Sequence, residues 1–190
     1  IAGTISGAKV IKAPLRDFRY DLKAMKAKVT PKTKIIFIAN PDNPTGTYVN
    51  QKEVADFLRS LPKDTIVYFD EAYYELVDKK DFPRSLQLLK KYKNLIVSRT
   101  FSKAYSLCFQ RGGYLFGHPD LIAALDKIRD SYNVNGLGQI AAEATLDDLA
   151  HYRKNFRRIV ATRVKLSGDL RSLGFAVFPS QTNFILTKPP

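Results

Sequence analysis

"KIIFIANPDNPTGTYVNQKEVADFLRSLPKDTIVYFD", residues 34–70, holds two apolar runs separated by a helix-length segment, and that spacing decides the fold. Residues 34–40 and 65–70 are β-branched and aromatic. They run continuously rather than alternating, as expected of strands covered on both faces of a parallel sheet. Each run ends on a polar residue, Asn40 or Asp70. Between them Asn50 is placed to cap a helix, and Glu53 three residues on completes a capping-box pattern. Val54, Phe57, Leu58 and Leu61 make one apolar stripe before Pro62 stops the helix. A strand, a helix and a strand in that order imply a right-handed crossover and a parallel pair in an α/β fold. A third run, "NLIVSRT" (94–100), repeats the layout and ends in Ser98, Arg99 and Thr100.

The second half reads as helical. Pro119 opens a segment over 119–130, an alanine-rich segment covers 138–148, and a long helix follows. Its apolar residues, from Leu149 through Tyr152, Phe156, Ile159 and Leu166 to Leu173, recur at three- and four-residue spacing, and Gly174 supplies the stop. Two short strands are expected near 175–178 and 183–187. The expectation is an α/β chain: a mostly parallel sheet with helices on both faces over residues 1–150. A connecting helix and the start of a small α+β domain then cover 151–190.

Of the 190 residues, 45% are hydrophobic, enough for a sizeable core, and no apolar run approaches the ~20 residues that span a bilayer. The first residues lack the pattern of a signal peptide. The single cysteine, Cys108, forms no internal disulfide and fits a reducing compartment, so a cytoplasmic location is expected. The net charge of +13 is spread over residues 23–34, 79–93 and 153–171. With no zinc spacing, basic zipper or RNA-recognition signature, these runs read as solvated helix faces rather than a nucleic-acid surface. No metal site is expected.

In open parallel sheets, ligands bind beyond the carboxyl ends of the strands. There the three runs deliver "NPDNPTG" (40–46), "DEAYY" (70–74) and "SRTFSK" (98–103). Singly these read as a turn, a helix cap and a loop. Together they offer an amine (Lys103), a carboxylate (Asp70), a phenol (Tyr73) and an amide (Asn43). Two hydroxyls, Thr100 and Ser102, stand near a guanidinium, Arg111, which suits a dianionic phosphate. An amine nucleophile beside a phosphate site and a carboxylate is the set that pyridoxal phosphate requires.

"NPDNPTG", "YFDEAYYEL" and "SRTFSKAYSL…QRGGY" resemble the signature segments of the fold-type-I pyridoxal-phosphate aminotransferases (class I/II). Within that group the chain is most similar to the histidinol-phosphate aminotransferases, a likeness also carried by "YNVNGLGQIAAEATLDD" and "FPSQTNFIL". The resemblance implies that Lys103 forms the Schiff base and shuttles the substrate proton, and that Asp70 addresses the pyridine nitrogen. It assigns Asn43 and Tyr73 to the ring hydroxyl, where they help lower the imine pKa, and Thr100, Ser102 and Arg111 to the phosphate. Ala72 would lie flat under the ring. The implied activity converts histidinol phosphate and 2-oxoglutarate to imidazole acetol phosphate and glutamate, in a homodimer. Aromatic amino-acid aminotransferases and threonine-phosphate decarboxylases are neighbouring alternatives. A ligand-sensing domain of a transcriptional regulator is an alternative from another class. Phe109 and Gly112 depart from the family pattern: Phe109 must find room, and Gly112 is expected to loosen a strand start. The family's upstream phosphate-cradling helix and downstream carboxylate-binding arginine are not among these residues. The resemblance therefore implies a middle portion that binds the cofactor weakly and does not transaminate alone.

Overall fold

The structure is a computed structural model and describes residues 2–190. A short helix α1 (Ala2–Ile5) precedes a small hairpin of β1 (Leu15–Arg16) and β2 (Arg19–Tyr20), followed by α2 (Leu22–Ala27). Then come β3 (Ile35–Ala39), α3 (Gln51–Ser60), β4 (Ile66–Asp70), α4 (Ser85–Leu89), β5 (Leu95–Thr100) and β6 (Gly113–Gly117). Three helices follow, α5 (Pro119–Asp126), α6 (Gly136–Asp147) and α7 (Leu149–Ser172), before β7 (Ala176–Val177) and β8 (Thr187–Lys188).

The four-stranded sheet has the order β3-β4-β5-β6. Its first three strands are parallel and β6 is antiparallel to β5. Residues 101–112, at the short limit for a crossover, link β5 to β6, and the chain returns antiparallel. Helices flank the sheet. Ile36, Ile38, Val67, Phe69, Leu95 and Val97 share one face and meet Val54, Phe57 and Leu58 of α3 and Leu88 of α4. Asn50 caps α3 as its spacing implies: its side chain accepts from the Glu53 N–H at 3.0 Å, and the Glu53 carboxylate accepts from the Asn50 N–H at 2.7 Å.

Continuous apolar runs did not mean burial on both faces everywhere. Leu95, Ile96 and Val97 of the interior strand β5 are all buried. On the edge strand β3, however, Ile35 and Phe37 are 49% and 65% exposed. On that side the Phe37 ring meets Tyr68 of the neighbouring β4, with centroids 5.3 Å apart, and is otherwise open among the described residues.

A second apolar cluster of Tyr73, Leu76, Phe101, Ala104 and Tyr105 receives Tyr152, Phe156 and Ile159 of α7, together with Phe184. The periodic stripe on α7 overreaches this packing, because Leu166 and Leu173 near its end are 46% and 67% exposed. Gly174, at φ +87°, ends the helix as expected. The final strand starts only at Thr187, later than its apolar residues imply. The Ser180 and Thr182 hydroxyls accept from the N–H groups of Thr182 (3.1 Å) and Phe184 (3.3 Å), and such local turns compete with strand pairing. Among the described residues no helix is long and apolar enough to cross a membrane.

Replacing Asn50 by Ala removes one half of the reciprocal cap and should destabilise the protein by about 1 kcal/mol, whereas Asn50→Asp should be near neutral. Urea denaturation of the two variants checks this; equal midpoints for Asn50→Ala and wild type would contradict it.

Candidate active site

The parallel register sets Asp70 beside Ala39 on one side and Ser98 on the other. Beyond the strands the ladder continues: the Asn40 N–H donates to Asp70 O at 2.8 Å and the Glu71 N–H to Ser98 O at 2.9 Å. The carboxyl ends of β3, β4 and β5 therefore form one rim. β6 enters at the same rim, with Gly113 opposite Thr100. The three polar segments expected at this edge thus arrive together.

Asn43 and Tyr73 are in direct contact, the Asn43 amide Nδ2 donating to the Tyr73 hydroxyl at 3.0 Å. The Lys103 ammonium is exposed and lies 5.8 Å from the centroid of the Tyr73 ring. Asp70 is half-buried, and its carboxyl accepts from the Ala72 N–H at 3.0 Å. Burial pushes its pKa up, opposed by that N–H and by the Ser98 hydroxyl. Thr100 accepts from the Ser102 N–H at 3.0 Å and donates to Gly112 O at 3.3 Å, which gathers the two hydroxyl residues at the start of β6. Arg111 lies next to Gly112 but is exposed, and its guanidinium donates to the Cys108 carbonyl at 2.8 Å. That bond engages one of its five N–H donors and leaves the others for an anion.

The departures at 108–112 resolve simply. Phe109 stands in solvent, 89% exposed. The Gly112 carbonyl accepts from both the Phe101 N–H (3.2 Å) and the Thr100 hydroxyl (3.3 Å), so the strand start is tied down despite the glycine.

A charged cluster behind the rim was not foreseen. Glu71 is fully buried, receives a hydrogen bond from the Ser85 hydroxyl, and pairs with Arg99 through Nε at 3.0 Å and Nη2 at 2.8 Å. The guanidinium is sandwiched against Tyr74, 3.4 Å from its ring centroid. Burial pushes the Glu71 carboxyl up, and Ser85 and Arg99 oppose it. Glu75 stands behind this pair without a guanidinium of its own. One of its carboxylate oxygens, Oε2, is buried without a hydrogen-bond partner, and burial raises its pKa to about 7. An arginine within an apolar strand run and a glutamate directly after an aspartate were the available signals, since buried charges are normally paired.

The sequence matches the family described as Aminotransferase class I and II over residues 3–189. The chain belongs to the class I and II aminotransferases. This aminotransferase is 42% identical over 185 residues to the histidinol-phosphate aminotransferase of an Anaeromyxobacter species, covering 97% of this chain and 51% of that protein. It is 43% identical over 181 residues to the aromatic amino acid aminotransferase of Mycobacterium tuberculosis, covering 95% and 51%. Among solved structures, the histidinol-phosphate aminotransferase of Sinorhizobium meliloti in complex with pyridoxal-5'-phosphate superposes with a TM-score of 0.89. It shares 34% identity, and the match covers 95% of this chain and 49% of that one. The chain spans about half the length of the curated relatives it matches.

Arg99→Met should leave Glu71 buried and unpaired, at a cost of about 3–5 kcal/mol in urea denaturation; a loss below 1 kcal/mol would show the pair to be dispensable. Glu75 gives a pH prediction. Its folded pKa, about 7, lies above the ordinary carboxylate value of 4.5, so the folded state holds the proton more tightly. That contribution is fully present below about pH 4.5 and is lost as pH rises to about 7. Glu75→Gln should therefore match wild type at pH 5 within about 1 kcal/mol and exceed it by about 1–3 kcal/mol at pH 8. Parallel stability curves at the two pH values would refute this.

Proposed function

We propose that the rim of Asn43, Asp70, Tyr73, Thr100, Ser102, Lys103 and Arg111 is the pyridoxal-phosphate site of an aminotransferase. The observation that carries this reading is the Asn43–Tyr73 hydrogen bond beside the Lys103 amine, with Asp70 on the same rim. The donor set suits the cofactor. Asn43 and Tyr73 offer neighbouring polar groups to one ring oxygen, and Lys103 is an accessible amine for the aldehyde carbon. Asp70, pushed up by burial, gains from a cationic partner such as a protonated ring nitrogen. Thr100, Ser102 and Arg111 would hold the phosphate, and Ala72 would face the ring.

When bound, the cofactor supplies an electron sink for the substrate α-carbon. The protein's part is to orient and to move protons. Asp70 would favour a proton on the ring nitrogen, Asn43 and Tyr73 would donate to or steady the ring oxygen, and the Lys103 Nζ would be the base that takes up and gives back the substrate proton. The amino group passes from histidinol phosphate to 2-oxoglutarate, leaving imidazole acetol phosphate and glutamate.

Relatives at 42% and 43% identity divide between histidinol-phosphate and aromatic amino-acid aminotransferases, so the aromatic reading is the second candidate. We place residues 1–150 in the cofactor-binding domain and 151–190 in a connecting helix and the start of a smaller domain. A cytoplasmic homodimer fits this reading. The dimer is supported by Tyr132, Leu137 and Ile140 around the segment 131–139, which are 97%, 73% and 66% exposed.

In the full-length protein, Lys103→Ala should abolish turnover and the visible absorption gained with pyridoxal phosphate, while Asp70→Asn should lower kcat by at least about 100-fold. Visible absorption that survives Lys103→Ala would sink the assignment. Comparing kcat/KM on histidinol phosphate and phenylalanine separates the two substrate readings.

A further inference from the structure

Residues 178–184 take no part in the chemistry proposed above, yet they touch Tyr73 itself and the loop that carries Asn43. On the Tyr73 side, the ring of Phe184 meets the Tyr73 ring edge-on, with centroids 5.3 Å apart and an interplanar angle of 87°. On the Asn43 side, the Gln181 N–H donates to Gly46 O at 2.8 Å. Gly46 closes the loop around Asn43, its own N–H donating to Asp42 O at 2.9 Å. At φ +74°, Gly46 lies so close to Ser180 that a Cβ there would stand 2.5 Å from the Ser180 hydroxyl and 3.0 Å from its Cα. The two backbones are in contact.

The segment that makes these contacts is itself fixed. The Gln181 side chain is buried, and its Oε1 accepts from the Asp78 N–H at 2.9 Å. The buried Arg163 guanidinium of α7 donates to Leu76 O and Thr182 O, each at 3.0 Å, and to Asp78 at 2.9 Å. One rigid turn therefore bridges the two loops that carry Asn43 and Tyr73. An edge-on ring contact has a preferred geometry, so Phe184 fixes the plane of the Tyr73 ring as well as covering it.

We propose that Phe184 is a positioning residue: it holds the Tyr73 phenol against Asn43, and the Gln181–Gly46 contact holds Asn43 in turn. This rests on the proposed cofactor site and adds to it a route by which the carboxyl-terminal segment sets the geometry of the ring-oxygen donors. Loosening Tyr73 and Asn43 weakens their support of a ring oxyanion, so a protonated cofactor imine persists to higher pH.

The test is a pH titration of the visible absorption of the full-length protein loaded with pyridoxal phosphate. It compares wild type, Phe184→Leu, Gly46→Ala and Phe178→Leu. Phe178 lies in the same segment, but its ring packs on Phe18, 4.5 Å away, and serves as the control. The expected result is a midpoint displaced upward by about 0.5–1 pH unit in Phe184→Leu and in the same direction in Gly46→Ala. Phe178→Leu should titrate with wild type. A folded Phe184→Leu that titrates with wild type, or a Phe178→Leu that shifts as far, overturns the positioning role. If Phe184→Leu fails to fold, Gly46→Ala decides alone: an upward shift supports the role and an unchanged midpoint overturns it. A wild type that gains no visible absorption overturns the cofactor site itself, and the positioning role falls with it.

Discussion

The Glu71–Arg99 ion pair is the constraint on which the rim depends. Both side chains are withdrawn from water, at 0% and 10% exposure. Two charges in such surroundings are costly unless each has a partner and further hydrogen bonds. Ser85 and the face of Tyr74 supply the rest of the shell. Glu71 directly follows Asp70, and Arg99 lies between Ser98 and Thr100. Side chains alternate along a strand, so a pair fastened behind the sheet leaves Ser98 and Thr100 facing the other way, toward the side of Asp70. Few ways of sliding β4 against β5 would keep the charges paired.

That device has a cost in Glu75. The Arg99 guanidinium hydrogen-bonds to Glu71 and only attracts Glu75 from a distance; Glu75 is left with a buried oxygen that has no hydrogen-bond partner and a pKa of about 7. The cost extends to neighbouring phenols. Burial, with Glu75 adding to it, pushes Tyr105 up to about 12 and raises Tyr114. The cluster therefore sits in a pocket that disfavours negative charge, with one carboxylate tolerated because Arg99 answers it.

How much of this was legible in the sequence follows from the range of each interaction. The α3 cap spans three residues, and its pattern gave the helix start. The polar residues ending β3, β4 and β5 are successive strand ends, and the parallel crossover rule brought them to one edge before any coordinates. What escaped depends on contacts across the chain. Phe37 reads as a core strand residue, yet β3 is the edge of the sheet that the described residues form, and Phe37 is mostly exposed there. Glu71 and Arg99 are 28 residues apart, and no local pattern pairs them. Arg111 was expected to face an anion, and no local pattern told that its left-handed backbone (φ 55°) accompanies a guanidinium bonded to the Cys108 carbonyl. The periodicity of α7 likewise marked a helix correctly while overstating how much of its stripe is packed.

The clamp at residues 178–184 is the extreme case of the same limit. Its closest contact joins Gly46 to Ser180, and the feature that permits it is the absence of a side chain. Read locally, Gly46 is a turn glycine, since a positive φ is reason enough for one. Only the fold shows a second requirement, that another backbone occupy the space a Cβ would take. The two demands differ in consequence. A turn needs the right φ, whereas a close approach links the shape of the Asn43 loop to wherever the segment after α7 sits. In this chain the same segment also carries the ring that braces Tyr73, so both donors answer to one element.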